Sequence, residues 1–330
     1  MTVTDPYCTV VIPTKNAMPL FKKVLPAVLS QRVPWRFEVL VIDSGSKDGS
    51  DTYAEGQPNT RVIRISPSEF GHGRTRNFAI SNSTAPFIAM LTHDAPPINR
   101  DWLVNLLAPL EKDDRIAGAF GRHIAWPDAS PFTAYNLEKH FSGFLDYPLV
   151  VNRDTDIRRY ETDEGWRQFL HFFSDNNACL RRAAWKQTPY PEVDFAEDQA
   201  WARVIIQNGW SKAYAPDAVV YHSHDYGPLE QLQRAFDESR SFQRDFGYNL
   251  SPRFILAVRS LLGLTYRDFH YVWRNKKILR NWKFLPRQII LNMMLVSGHY
   301  LGNRHQKLRP SLQDALSRDR QVFLGRKFKN

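Results

Sequence analysis

Cysteine is scarce in this chain of 330 residues: Cys8 and Cys179 are its two, far apart and outside any metal-ligand spacing. They fit a reducing compartment and say little else. Long apolar runs are missing as well. The longest uncharged run, Gln288 to Asn303, carries several polar residues and falls short of the ~20 apolar residues that a membrane span needs. The opening Met-Thr-Val-Thr-Asp-Pro has neither a basic n-region nor an apolar h-region, so no export signal is expected. Internal repeats and low-complexity tracts are absent. These absences leave an expectation of a soluble or peripheral intracellular protein, cytoplasmic or resting on the cytoplasmic face of a membrane.

What is present suits a globular enzyme. Apolar residues make up 43% of the chain and aromatics 13%, ample for a core. Charge is divided unevenly. Residues 1–224 hold 24 Lys+Arg against 26 Asp+Glu, whereas residues 225–330 hold 20 against 8. The two parts are expected to face different partners, with a boundary near residue 225.

Strand and helix signals alternate through the first half. Thr9–Pro13, Val39–Asp43, Val62–Ile65 and Phe87–Leu91 read as buried strands. Pro19–Ser30, Gly73–Ser83 and a helix capped by Asp101 and running through Leu110 fall between or after them. That rhythm predicts an α/β fold with a mostly parallel sheet covered on both faces. Past Trp126 the pattern loosens. Asp146 to Gly165, rich in Asp, Arg and Thr, reads as a long mobile loop. Ala178–Arg181 and Ala218–Tyr221 read as short strands, with a helix from Glu197 between them. From Leu229 onward the signal is helical, with basic and aromatic residues interleaved.

Acids end two of the buried strands, Asp43 and the lone Asp94 of Leu91-Thr-His-Asp94, after which Ala95-Pro96-Pro97 stops the run. The carboxyl edge of an open α/β sheet is where ligands bind. Asp43 leads into the small-residue loop Ser44–Ser50, where a carboxylate can hold a base or ribose, or start an Asx-turn. Gly71-His-Gly-Arg-Thr-Arg-Asn77 places glycines and cations at a helix start, suited to a diphosphate or simply to a solvated basic helix. It lacks the third glycine of the dinucleotide fingerprint. Glu197 and Asp198 open a helix, as caps or as a general base. His222 and His224 share one side of a strand end, as metal ligands or as surface histidines. A dinuclear hydrolase is excluded, since no further His/Asp cluster follows them.

The order of these segments resembles a family 2 glycosyltransferase with a GT-A fold, over about residues 7–224. It is carried by V-V-I-P-T-K-N, V-L-V-I-D-S-G-S-x-D-G-S, G-x-G-R-T-R-N, L-T-H-D, A-E-D-Q-A-W and V-V-Y-H-S-H. The G-H-G-R-T-R-N and T-H-D-A-P-P pair is most similar to the bacterial rhamnosyltransferase branch. The resemblance implies that Pro13, Thr14, Asn16, Asp43, Arg74, Arg76, Asn77, His93 and Asp94 bind the nucleotide-sugar donor. Asp94 and His222 would hold Mg²⁺ or Mn²⁺, with His224 in reserve. Asp198 would be the catalytic base, with Glu197 its neighbour and alternate, and Asn176, Asn177 and Trp201 would shape the acceptor site. Thr92 and His93 precede a single acid where the family motif usually carries two or three, which implies either weak metal binding or coordination completed mostly by diphosphate oxygens and His222.

The implied reaction is inverting transfer of a sugar, L-rhamnose from dTDP-rhamnose by branch resemblance, to a glycan or lipid-linked glycan in surface polysaccharide synthesis. A UDP- or GDP-sugar transferase and a non-catalytic nucleotide-sugar binder are the alternatives. Residues 225–330 form a basic, aromatic-rich helical extension. Within it, Trp273, Lys276, Lys277, Arg280, Trp282, Lys283 and Arg287 are the densest cluster. Across 229–330 this reads either as a platform for the inner membrane surface or as an ordinary packing extension. Nucleic acid is not an expected partner, since no known binding module appears.

Overall fold

The computed structural model describes residues 5–193, 195–251, 253–274 and 282–323. They divide into two units, one of residues up to Trp126 with Leu137–Ser223, the other of Pro127–Asn136 with the chain from His224 onward.

The first unit is built on β1 (Cys8–Thr14), β2 (Phe37–Asp43), β3 (Thr60–Arg64), β4 (Phe87–Leu91), β5 (Ile116–Ile124), β6 (Val150–Val151), β7 (Asn177–Arg181) and β8 (Ser211–Tyr221). These form one sheet in the order β3-β2-β1-β4-β7-β5-β8-β6. β1 to β4 run parallel where they pair, as do β5 and β8, whereas β7 is antiparallel to both of its neighbours. Every residue of β4 is buried, as the unbroken apolar run requires of a strand covered on both faces.

Helices α1 (Phe21–Leu29), α2 (Ser50–Glu55), α3 (His72–Ser81) and α4 (Trp102–Lys112) fall among the first five strands. One apolar cluster gathers Val24, Leu25, Leu103 and Leu107 against one face of the sheet, and a second gathers Ile80, Phe120, Phe173 and Trp201. Asp101 does not cap α4 through its side chain. Gln31 Oε1 instead accepts the Leu103 N–H at 3.0 Å, a partner too distant in sequence to be read from it.

Residues 146–165 are not a long loop. They form the end of a 3₁₀ turn, β6, a second 3₁₀ turn, α6 (Ile157–Thr162) and the start of α7 (Glu164–His171), after α5 (Pro131–Ser142). The Asp, Asn and Thr residues that looked like loop composition are caps. Asn152 and Thr155 make a capping box, Asp156 accepts the Arg159 N–H, and Asp163 accepts the Trp166 N–H. Elements this short are too brief to display a helical period. At the far end of α7, the buried Lys212 Nζ donates to the Phe169 and Phe172 carbonyls at 2.7 and 2.6 Å. The Ala218–Tyr221 strand also proves longer, because β8 starts at Ser211 and shifts register against β5 past Gly121. The sheet's partners carry it over the Pro216 interruption. Helices α8 (Arg182–Gln187) and α9 (Glu197–Gln207) complete this unit.

The second unit is helical: α10 (Pro228–Ser241), α11 (Phe254–Arg274), α12 (Leu285–Gly302), α13 (Pro310–Leu316) and α14 (Arg318–Phe323). Lys276, Lys277 and Arg280 of the basic cluster lie outside the described residues. α10 and α12 touch backbone to backbone at Gly298 and Gly302, where an added Cβ would press on the Leu232 and Phe236 carbonyl oxygens. Gly302→Ala is therefore expected to cost this unit about 1–3 kcal/mol, read as a lower chemical-denaturation midpoint.

Candidate active site

The parallel strands β1, β2, β4, β5 and β8 deliver their carboxyl ends to one edge of the sheet. Because β7 runs the other way, it brings its beginning there instead. Asn177 pairs with Leu91, and Ile124 with Tyr221. Asp175 and Asn176, just before β7, thus meet His93 and Asp94 after β4 and His222 after β8.

His222 Nδ1 lies 3.4 Å from Asp94 Oδ1, and its Nε2 lies 3.0 Å from Asn176 Nδ2. The far nitrogen of His222 is thereby fixed by an amide that can donate or, turned over, accept. Burial alone would raise the Asp94 pKa. The His222 hydrogen bond and charge, with His93 and Thr92, hold it well below the usual carboxylate range instead. His93 Nδ1 reaches the Pro13 carbonyl at 3.3 Å, which joins the β4 and β1 exits. Behind them, His123 packs edge-on to His222 at 5.4 Å and is kept neutral by burial.

A second cluster adjoins Asp175. The Asp175 N–H donates to Asp198 Oδ2 at 3.1 Å, and the Gln199 N–H donates to Asp198 Oδ1 at 2.8 Å. Ala196, in the left-handed region at φ 56°, turns the chain into α9 and sets Glu197 and Asp198 at its first turn. Arg76 lies between the acids, 2.7 Å from Asp175 Oδ2 and 2.6 Å from Glu197 Oε1, with its guanidinium and both carboxylates almost wholly buried. Tyr190 donates its hydroxyl to Asp175 Oδ1 at 2.8 Å. One cation faces three acids here. Burial, and then the charges on Glu197 and Asp175, push Asp198 well above the usual range against the pull of Arg76. Burial carries Asp175 up to about 6, again against Arg76. Glu197 stays low: burial opposes ionisation, but Arg76 and His72 outweigh it.

Several expected donor and acceptor residues serve the scaffold instead. Arg76 is spent on the two acids. Asn77 accepts from Trp185 Nε1 and the Tyr190 N–H, and donates to the Tyr190 carbonyl, so its amide holds residues 185–190. Asn177 is fully buried, accepting from Trp102 Nε1 and donating to the Arg122 and Ala218 carbonyls. Trp201 is fully buried too, packs on Phe173 and Tyr190, and donates to the Thr188 carbonyl. In each case a side chain one turn or one residue from the cluster points into the core, and three-dimensional packing decides which. Thr14 is likewise buried, on the Ile12 carbonyl. Arg74 remains exposed, 3.7 Å from Glu192.

Asp43 shows both of its readings. Oδ1 starts the Asx-turn, accepting from Gly45 and Ser46 N–H at 2.9 Å each. Oδ2 is buried with no hydrogen-bond partner among the described residues. Asn16, at φ 49°, ties this loop to β1 by accepting the Lys47 N–H and donating its own N–H to Ser46 Oγ. Asp175 and Tyr190 were not expected at this edge. An acid before an antiparallel strand gives no local signal, since only the insertion of β7 between β4 and β5 turns that end of the strand toward the site.

Comparison with known proteins bears on the family and the fold. The O-antigen chain rhamnosyltransferases RfbN of Salmonella typhimurium and WbaN of Salmonella anatum are 32% and 29% identical to the chain, covering 91% and 92% of it and 90% and 91% of themselves. Among solved structures, the mannosyltransferase PcManGT of Pyrobaculum calidifontis, in complex with GDP-Man and Mn²⁺, shares the fold at TM-score 0.54 and 19% identity. That match covers 98% of this chain and 84% of the other. The signature of the family described as "Glycosyl transferase family 2" matches residues 9–187, from β1 to the end of α8, and the chain belongs to that family.

Proposed function

We propose that the protein transfers a sugar, with inversion, from a nucleoside diphosphate donor to a hydroxyl of a glycan or lipid-linked glycan, in the synthesis of a surface polysaccharide. The names of both Salmonella relatives support L-rhamnose as the sugar, carried as dTDP-rhamnose. The observation that carries the reaction class is the link from Asp198 through the Asp175 backbone to the Asn176–His222–Asp94 group at the same sheet edge.

In this reading Asp198 takes the acceptor proton as that oxygen bonds to the anomeric carbon. The bond from that carbon to the diphosphate oxygen breaks, and its electron pair leaves with the nucleoside diphosphate. Asp43 Oδ2 offers an acceptor to the ribose or base. Asp94 and His222 give one oxygen and one nitrogen donor 3.4 Å apart, and both belong to the described residues able to hold a metal. This mixed set fits Mn²⁺ or Mg²⁺. In this structure the Asn176 amide nitrogen faces Nε2, and the Nδ1 side of His222 faces Asp94 as a donor. A cation would take the place of that proton, and the Asn176 amide, turned over, would then accept Nε2–H. A bound cation there would neutralise charge developing on the leaving diphosphate.

Titration of dTDP-rhamnose, UDP-glucose and GDP-mannose by calorimetry, with Mn²⁺ or with EDTA, tests this. One donor is expected to bind only with metal, and Asp94→Ala to weaken that binding about tenfold or more. Affinity that is equal with metal and with EDTA, and unchanged in the variant, would remove the metal from the reading.

A further inference from the structure

Helices of a water-soluble unit normally bury their apolar stripe and expose their polar one. Two helices of the second unit also leave apolar stripes exposed. On α11, Ile255, Leu262, Tyr266, Phe269 and Trp273 fall within roughly 40° of one line at 3.6 residues per turn. They are between 56% and 72% exposed. On α12, Ile289, Ile290 and Met293 form a second exposed apolar strip.

The buried side mixes Ala257, Val272 and Val296 with a polar network. Gln288 donates to Asn292 Oδ1 at 3.0 Å, and Asn292 donates to Asp268 Oδ2 at 2.8 Å. Arg267 pairs with the other Asp268 oxygen at 2.9 Å. Asp268 is completely buried. Between the two outer strips lies an apolar groove of about 390 Å³, lined by Phe269, Trp273, Trp282, Leu285 and Ile289 among others. Exposed aromatic and aliphatic side chains that adjoin one another and are flanked by charge mark a contact site.

Charge identifies the occupant. From residue 251 to 303 the sequence carries nine Lys and Arg and a single acid, the buried Asp268. Arg259, Arg274, Lys283 and Arg287 are exposed beside the apolar strips. A second copy laid on this face would bring like charges together, whereas anionic lipid headgroups complement it. Aromatic rings with flanking cations suit the headgroup level, where the rings sit at the acyl boundary and the cations meet phosphates. No described helix is long and apolar enough to cross a membrane, so the contact is one of lying on the surface.

We propose that the α11–α12 face docks on an anionic phospholipid surface. The inference is independent of the transfer reaction and stands or falls by lipid binding alone. Flotation of the full chain with phosphatidylcholine vesicles, with and without phosphatidylglycerol, is the test. Binding is expected with phosphatidylglycerol at low salt, and roughly tenfold weaker binding at high salt or without the anionic lipid. Leu262→Glu with Phe269→Glu is expected to lower it a further tenfold or more while leaving the melting curve unchanged, since both side chains are exposed. Arg259→Gln with Arg287→Gln should remove part of the salt-sensitive component without touching the apolar strips. Absence of flotation at every salt concentration, or flotation indifferent to the Glu pair, would overturn the proposal. So would a dimer in light scattering that the Glu pair dissolves, which would assign the face to a second copy.

Discussion

Asp198→Asn is expected to lower sugar transfer by about 10²–10⁴-fold while nucleotide-sugar affinity stays within a few-fold of the parent. The amide keeps the shape of the carboxylate but has one acceptor oxygen, so it keeps one of the Asp175 and Gln199 N–H bonds and loses the other. A melting curve close to the parent's then separates proton removal from folding. An equal loss of donor affinity would take the base role away from Asp198. The reaction should also carry the signature of a displaced titration. Burial, then Glu197 and Asp175, raise Asp198, with Arg76 opposing and Tyr190 facing the same cluster. A base works only once deprotonated, so the rise of rate with pH is expected above the ordinary carboxylate range. Asp175→Asn removes one negative neighbour and is expected to move that rise to lower pH. For folding, the sign is the opposite of a paired carboxylate. The native state holds a proton that the unfolded chain has already released. This contribution to stability is therefore lost as pH rises from the unfolded toward the folded pKa.

Arg76→Ala is expected to cost the first unit about 3–5 kcal/mol, because two buried carboxylates would lose their common cation. In a unit of this size that corresponds to a fall in melting temperature of roughly 6–20 °C. Arg76→Lys keeps the charge but cannot address both acids with a planar fork, so partial recovery is expected. The outcome separates two roles for one residue. A variant with unchanged melting and lost diphosphate affinity would return Arg76 to the donor, the place that family resemblance implied. A destabilised variant whose folded fraction binds donor normally fits the ion cluster.

Sequence reading succeeds where the pattern is local. β1, β2 and β4 were legible because a strand buried on both faces leaves a continuous apolar run that ends where its acid or turn begins, as at Asp43 and Asp94. Asp198 was legible as a residue at a helix start, and α9 begins one residue before it. Asp146 to Gly165 was misread because the residues that cap short helices are the same residues that fill loops. Asn77, Asn177 and Trp201 occupy the right segments yet face the core. Their neighbours Arg76, Asn176 and Asp198 face the cluster.

The sequence by itself determined the alternation of strand and helix, the acids at two strand ends, the charge contrast between the two parts, and the family. Each of these is written in local pattern: a period, a run, a spacing or an ordered series of motifs. Tertiary structure alone decided that β7 enters the sheet backwards and sets Asp175 beside Asp198, that Arg76 joins acids instead of facing solvent, and that α11 and α12 bury a hydrogen-bonded polar network while apolar stripes stay exposed. Those outcomes depend on pairings between residues far apart in the chain, where register and burial select one partner from many. No local pattern encodes that choice.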